Sequence, residues 1–178
     1  MTEEKSPISY PIDVRRLPQK GFPVDVRLTE AERAALAAAH GLLSVDAFAA
    51  DLLVRNWKSS GIIVTGTMRA DIVQECIVTL EPLAATIDEP VEAIFVPEGS
   101  PLARPDISEG EMFLEADGPD APEIFNGESI DVGALAEEFF ALAIDPYPRK
   151  AGAELPSRAG DSTAESPFAA LRQRLTRE

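Results

Sequence analysis

Val64–Pro82 reads VTGTMRADIVQECIVTLEP, and the alternation inside it decides the fold. Val64, Met68, Ala70, Ile72, Cys76, Val78 and Leu80 share one parity and are apolar. Thr65, Thr67, Arg69, Asp71, Glu75, Thr79 and Glu81 share the other and are polar. A period of two with one apolar side is the mark of a half-buried β-strand. Held straight, about 20 such residues at roughly 3.3 Å each span more than 60 Å. The reading therefore places a bend or division at Gly66 or at Arg69–Asp71, where a bulge or a close backbone approach is tolerated. By parity Cys76, the single cysteine of the chain, faces the core, and Glu81 and Pro82 close the strand as structural residues.

Working outward, KSSG (58–61) reads as a turn, which makes LLVRNW and IIVTGTM the arms of a hairpin, although periodicity alone leaves 47–57 open between helix and strand. TIDEPVEAIFVP (86–97) supplies a further strand, with Pro90 expected near its start or at a bulge. Upstream, ISYPIDVRRL and FPVDVRL are extended pieces separated by the turn-like PQKG. Thr29 and Glu32 then form a Thr-x-x-Glu capping box ahead of AERAALAAAH, and Gly41 suits the position just past the helix end. A second helix is capped by Asp131, presents Val132, Leu135, Ala136, Phe139, Leu142 and Ala143 at helical spacing, and stops at Pro146. Each apolar face needs the other. The expected fold is α+β: an antiparallel, strongly bent sheet or partial barrel containing 62–81 and 86–96, flanked by helices near 30–40 and 132–144.

Charge sets limits on function. The 178 residues carry a formal net charge of −15. Much of it lies after Pro97, where Glu98, Asp106, Glu109, Glu111, Glu115, Asp117, Asp120, Glu123, Glu128 and Asp131 are relieved only by Arg104. This proline-punctuated stretch reads as a long acidic loop, and its field repels phosphate backbones and attracts basic proteins. Cations gather instead toward the ends, at Arg15, Arg16, Lys20 and Arg27, then at Arg149, Lys150, Arg158, Arg172, Arg174 and Arg177. Brought together in space, they would make one basic patch. Beyond residue 150 the composition changes to a flexible linker leading to SPFAALRQRL, where Phe168, Leu171 and Leu175 form an apolar triplet beside Arg172 and Arg174. The division is a domain at 1–150 and a tail at 151–178, and Arg149, Lys150, Phe168, Leu171, Arg172, Arg174 and Leu175 are the candidate interaction residues. No run approaches the roughly 20 apolar residues of a membrane span, and MTEEKSPISYPIDVRR is unlike a signal peptide, so a cytoplasmic protein without a membrane partner is expected.

Catalysis has little to stand on. A reactive thiol needs a base, a cation or a helix N-terminus beside it, whereas the sequence neighbour of Cys76 is Glu75, which would raise its pKa. His40, the single histidine, falls in the last turn of the first helix, where a capping role suits it. A thiol-dependent hydrolase built on Cys76 and His40 is the alternative to a binding protein. No phosphate loop, nucleophile elbow or His-Glu metal motif occurs, and the expectation is no enzyme, no cofactor and no metal.

VQECIVTLEPL, IDEPVEAIFVP, the acidic loop, IDVGALAEEFFALAIDPYPRKAG and SPFAALRQRL, in that order, resemble the YceD family of large ribosomal RNA subunit accumulation proteins in its alphaproteobacterial form. The resemblance implies a cytoplasmic bacterial factor needed for normal levels of 23S ribosomal RNA, with no established enzymatic activity. Its implied partners are precursor ribosomal RNA or a basic ribosomal or assembly protein. Many relatives carry Cys-x-x-Cys at this strand and further cysteines later, a spacing that suggests zinc. Here the motif reads Cys76-Ile77-Val78-Thr79 and no cysteine follows. The departure implies that packing has replaced a metal and that Cys76 is structural.

Overall fold

A computed structural model describes residues 6–103, 107–108, 111–112 and 121–154 of the chain. The N-terminal segment forms β1 (Pro11–Asp13) and β2 (Phe22–Arg27), joined through a turn in which the Gly21 N–H donates to the Pro18 carbonyl at 2.9 Å. Helix α1 (Glu30–Ala39) follows. Its capping box is complete: the Thr29 hydroxyl accepts from the Glu32 N–H and the Glu32 carboxylate accepts from the Thr29 N–H. Gly41 ends it with φ of 64°, a left-handed conformation that glycine adopts without a Cβ penalty.

Three long strands make the body: β3 (Ser44–Trp57), β4 (Gly61–Glu75) and β5 (Pro82–Pro97). Residues 47–57 are strand throughout, because a neighbour on each side supplies the ladder that local periodicity leaves undecided. The β3–β4 hairpin turns at Lys58–Ser60, with Trp57 opposite Gly61 and the Lys58 ammonium 4.1 Å above the Trp57 ring. A single-turn 3-10 helix at Pro101–Ala103 comes next, then β6 (Ile107–Ser108), β7 (Glu111–Met112), β8 (Glu123–Phe125), β9 (Ser129–Asp131) and helix α2 (Val132–Ala143). The acidic stretch thus carries short ordered pieces in its described parts. The rest of the expected loop, and residues 155–178 of the expected tail, lie outside the described residues.

Among the described residues the main sheet has five strands in the order β2-β3-β4-β5-β8 and does not close on itself. It is mixed rather than antiparallel: β8 runs parallel to β5 and pairs only at Phe95–Pro97. β1 and β9 form a separate two-stranded ladder, as do β6 and β7. No division occurs at Gly66 or Arg69–Asp71, since the β4–β5 register is continuous from Ile62 to Glu75. The register shift falls in β3, between Val45 and Ala47. Gly66 serves a different purpose: a Cβ there would sit 2.1 Å from the Asp51 carbonyl oxygen. It lets β3 approach. Pro90 sits in the middle of β5, not near its start, and is tolerated because the outer flank of β5 has no partner at that point among the described residues.

Alternation then builds the core. Val24, Val26, Phe48, Leu52, Val54, Ile62, Val64, Met68, Ile72 and Val91 point to one side and are buried under α1 and α2. α1 contributes Leu36 and Ala37; α2 contributes Val132, Leu135, Ala136 and Phe140. The expected face of α2 is corrected at one turn. Leu142 is 78 % exposed, and Phe140 is fully buried in its stead, edge-on to Phe48 at 5.7 Å. The opposite face of the sheet is solvated and carries exposed ion pairs such as Arg69 with Asp88.

Candidate functional site

The strand expected over 62–81 ends at Glu75, six residues early. Cys76–Glu81 is a reversal: the Leu80 N–H donates to the Cys76 carbonyl and the Cys76 N–H to the Glu81 carbonyl, both at 2.9 Å. Pro82 then starts β5 opposite Glu75. Leu80 takes φ of 60°, the left-handed region that a leucine seldom occupies. Val78 and Leu80 therefore leave the apolar face, and Leu80 is 67 % exposed.

A second segment lies against this reversal. Pro146 and Pro148 keep the chain after α2 from continuing as a helix, and the Asp145 carboxylate accepts from the Tyr147 N–H at 2.9 Å. The buried Gln74 amide donates to the Asp145 carbonyl at 2.9 Å, and the Ile77 N–H to the Pro148 carbonyl at 3.0 Å. The Lys150 N–H donates to the Cys76 Sγ at 3.4 Å, and Lys150 Nζ meets Glu81 Oε2 at 2.8 Å. Four polar contacts thus clamp the end of β4 to the segment that follows α2. The structural candidates Cys76 and Glu81 and the interaction candidate Lys150 meet in one place.

Cys76 is buried, as expected, yet it does not lack neighbours that lower its pKa. Hydrogen bonding from the Thr79 side chain, then from the N–H groups of Lys150, Thr79 and Val78, lowers the thiol to about 6 despite burial. The reversal curls its own donors onto the sulfur, which a straight strand would not do. Glu81 is lowered by its hydrogen bond and charge contact with Lys150, and Lys150 is raised by the same pair.

These groups do not fit a metal. Thr79 stands where a second thiolate would be needed, the sulfur already accepts the Lys150 backbone N–H, and no group of three His, Cys, Asp or Glu residues converges among the described residues. Nor are Cys76 and His40 joined as a nucleophile–base pair. His40 occupies the C-cap of α1, and its Nε2 lies 3.0 Å from Glu137 Oε1 on α2, while the Ser6 hydroxyl donates to the other oxygen of that carboxylate. His40 thus caps α1, as expected, and its ring in addition ties α1 to α2. Sequence reasoning missed Gln74, Thr79, Glu137 and Pro148, and the signal for the reversal was the TLEP string read instead as strand.

The expected basic patch is neutralised in part where it is described, since Arg16, Lys20 and Arg149 form no ion pair among the described residues. Arg15 pairs with Asp13 and Glu128, Arg27 with Asp25 and Asp51, and Lys150 with Glu81. Arg149 is exposed next to the clamp. Phe168, Leu171, Arg172, Arg174 and Leu175 lie outside the described residues.

The fold and the clamp define a small α+β domain with two loops locked together at one end of an open sheet. Residues 64–173, more than half of the chain, match the family described as large ribosomal RNA subunit accumulation protein YceD, and the chain belongs to that family. The family name ties it to accumulation of large-subunit ribosomal RNA. No curated protein and no solved structure matches it. Among the described residues, no helix is long and apolar enough to cross a membrane.

Proposed function

We propose that this chain is a non-enzymatic cytoplasmic factor that supports accumulation or processing of 23S ribosomal RNA during large-subunit biogenesis, and that it acts by binding a basic ribosomal or assembly protein rather than RNA itself. The observation that carries the choice of partner is the fate of its cations. On a chain of net charge −15, Arg15, Arg27, Arg69 and Lys150 are each held by a carboxylate, and Arg16, Lys20, Arg55 and Arg149, which form no ion pair among the described residues, stand against a larger acidic excess. Phosphate binding draws its affinity from cations that release counterions, and cations already paired with acids release few. A basic protein faces the opposite balance, since the same field draws it in. In this reading residues 1–150 form the domain and the tail at 151–178 presents Phe168, Leu171 and Leu175 with Arg172 and Arg174 as a second contact. Its test is capture of partners from cell extract by the tagged full chain, with and without ribonuclease. Large-subunit or assembly proteins retained after RNA digestion are the expected result. Loss of all partners on digestion would transfer the role to direct RNA contact.

A further inference from the structure

Three of the larger exposed apolar side chains of the described residues belong to the two clamped loops: Ile77 at 46 %, Leu80 at 67 % and Tyr147 at 72 % exposure. The Ile77 N–H bonds to the carbonyl of Pro148, the residue after Tyr147, so the three side chains flank one hydrogen-bonded junction. Left to burial alone, a leucine at this position would turn inward. Here it is held outward at positive φ, on a reversal closed by two internal hydrogen bonds and fixed to its neighbour by the Cys76, Gln74, Ile77 and Lys150 contacts. Unfavourable backbone sustained by surrounding structure marks a place where the chain presents something, and side chains held rigid before contact lose little entropy on binding.

The surroundings choose the occupant. Lys150 is cancelled by Glu81, which leaves the exposed Glu75 and Asp145, brought together by the Gln74–Asp145 bond, against Arg149. An apolar centre with an acidic excess at its rim fits a polypeptide that carries an apolar anchor among lysines and arginines. We infer that the Ile77–Leu80–Tyr147 face is the docking surface for a basic protein segment with such an anchor. The inference rests on the protein-binding reading above and assigns it a place on the molecule.

The test uses the full chain with a photo-crosslinking residue at Leu80 and, as a control, at Thr67 on the solvated face of β4. Each is exposed to the total protein of purified large ribosomal subunits after nuclease removal of RNA. Crosslinks from position 80, absent from position 67, should fall in Lys- and Arg-rich segments. The double variant Ile77→Asp, Leu80→Asp should capture those proteins about 30-fold more weakly, the size expected of a lost central anchor, with an unchanged circular dichroism spectrum. Crosslinks from position 80 only to a second copy of the chain or to its own tail would overturn the assignment. Undiminished capture by the double variant would also overturn it while leaving protein binding intact. Failure of the unaltered chain to capture any of these proteins would remove the reading beneath it.

Discussion

Phe140→Ala measures whether α2 is turned as the structure has it. The ring is fully buried and meets His40 at 5.5 Å and Phe48 at 5.7 Å, both edge-on, so it bridges α1, α2 and the sheet. Truncating a buried phenylalanine costs about 3–5 kcal/mol through lost transfer energy and the cavity left behind. The two aromatic contacts place this site toward the upper end. Total stability for a domain is about 5–15 kcal/mol, so the variant forfeits a large share of it. For a chain of 178 residues, at about 2–4 °C per kcal/mol, the melting temperature should fall by roughly 6–20 °C. Leu142→Ala is the matched control: the side chain is 78 % exposed, and its loss should stay within about 0.5 kcal/mol. Urea unfolding followed by far-ultraviolet circular dichroism gives both values, with a lowered midpoint and unchanged slope for Phe140→Ala. If Leu142→Ala proves as costly as Phe140→Ala, the helix faces the other way and the packing argument fails.

Gly66→Ala forces a Cβ to within 2.1 Å of the Asp51 carbonyl oxygen, so β3 and β4 must separate; a loss of about 1–3 kcal/mol is expected in the same assay, and an unchanged midpoint would refute the close approach. Asp131→Ala removes the acceptor for the Gly133 and Ala134 N–H groups and also for Ser9 and Tyr10, so it should cost about 1–2 kcal/mol or more, and a neutral result would count against the cap. Cys76 has a lowered pKa in the fold, so between about 6 and its ordinary value the unfolded chain binds the extra proton and stability rises with pH. The stability advantage over Cys76→Ala should therefore grow from about pH 6 upward and level off above the pKa of the free thiol, and below about pH 6 should fall to the constant part that packing of the buried sulfur supplies. A difference that does not vary with pH would contradict the hydrogen-bonded thiolate. Thiol reagents should nevertheless modify Cys76 slowly until the protein unfolds, because the sulfur is buried. Deleting 157–178 should leave the melting temperature nearly unchanged and weaken association with large-subunit proteins; a marked drop in melting temperature would show that the tail belongs to the core.

Much of this fold was readable along the chain. Capping chemistry is local, so Thr29, Glu32, Gly41 and Asp131 marked both helices before any packing was known, and alternation over β4 and β5 announced a sheet with one buried face. The same locality explains the errors. Parity alone cannot say where a strand ends, and it carried the pattern through Cys76 to Leu80, although the chain reverses there because the segment after α2 supplies the Ile77, Cys76 and Gln74 contacts that hold the reversal. Helical spacing allowed either Leu142 or Phe140 to face inward, and the pocket formed by Phe48 and His40 chose the phenylalanine. The acidity of the protein was plain from composition. The Lys150–Glu81 pair, the Lys150 contact to the thiol and the exposed apolar junction depend on residues 69 to 74 positions apart in sequence, and only tertiary contact brings such groups within hydrogen-bonding range.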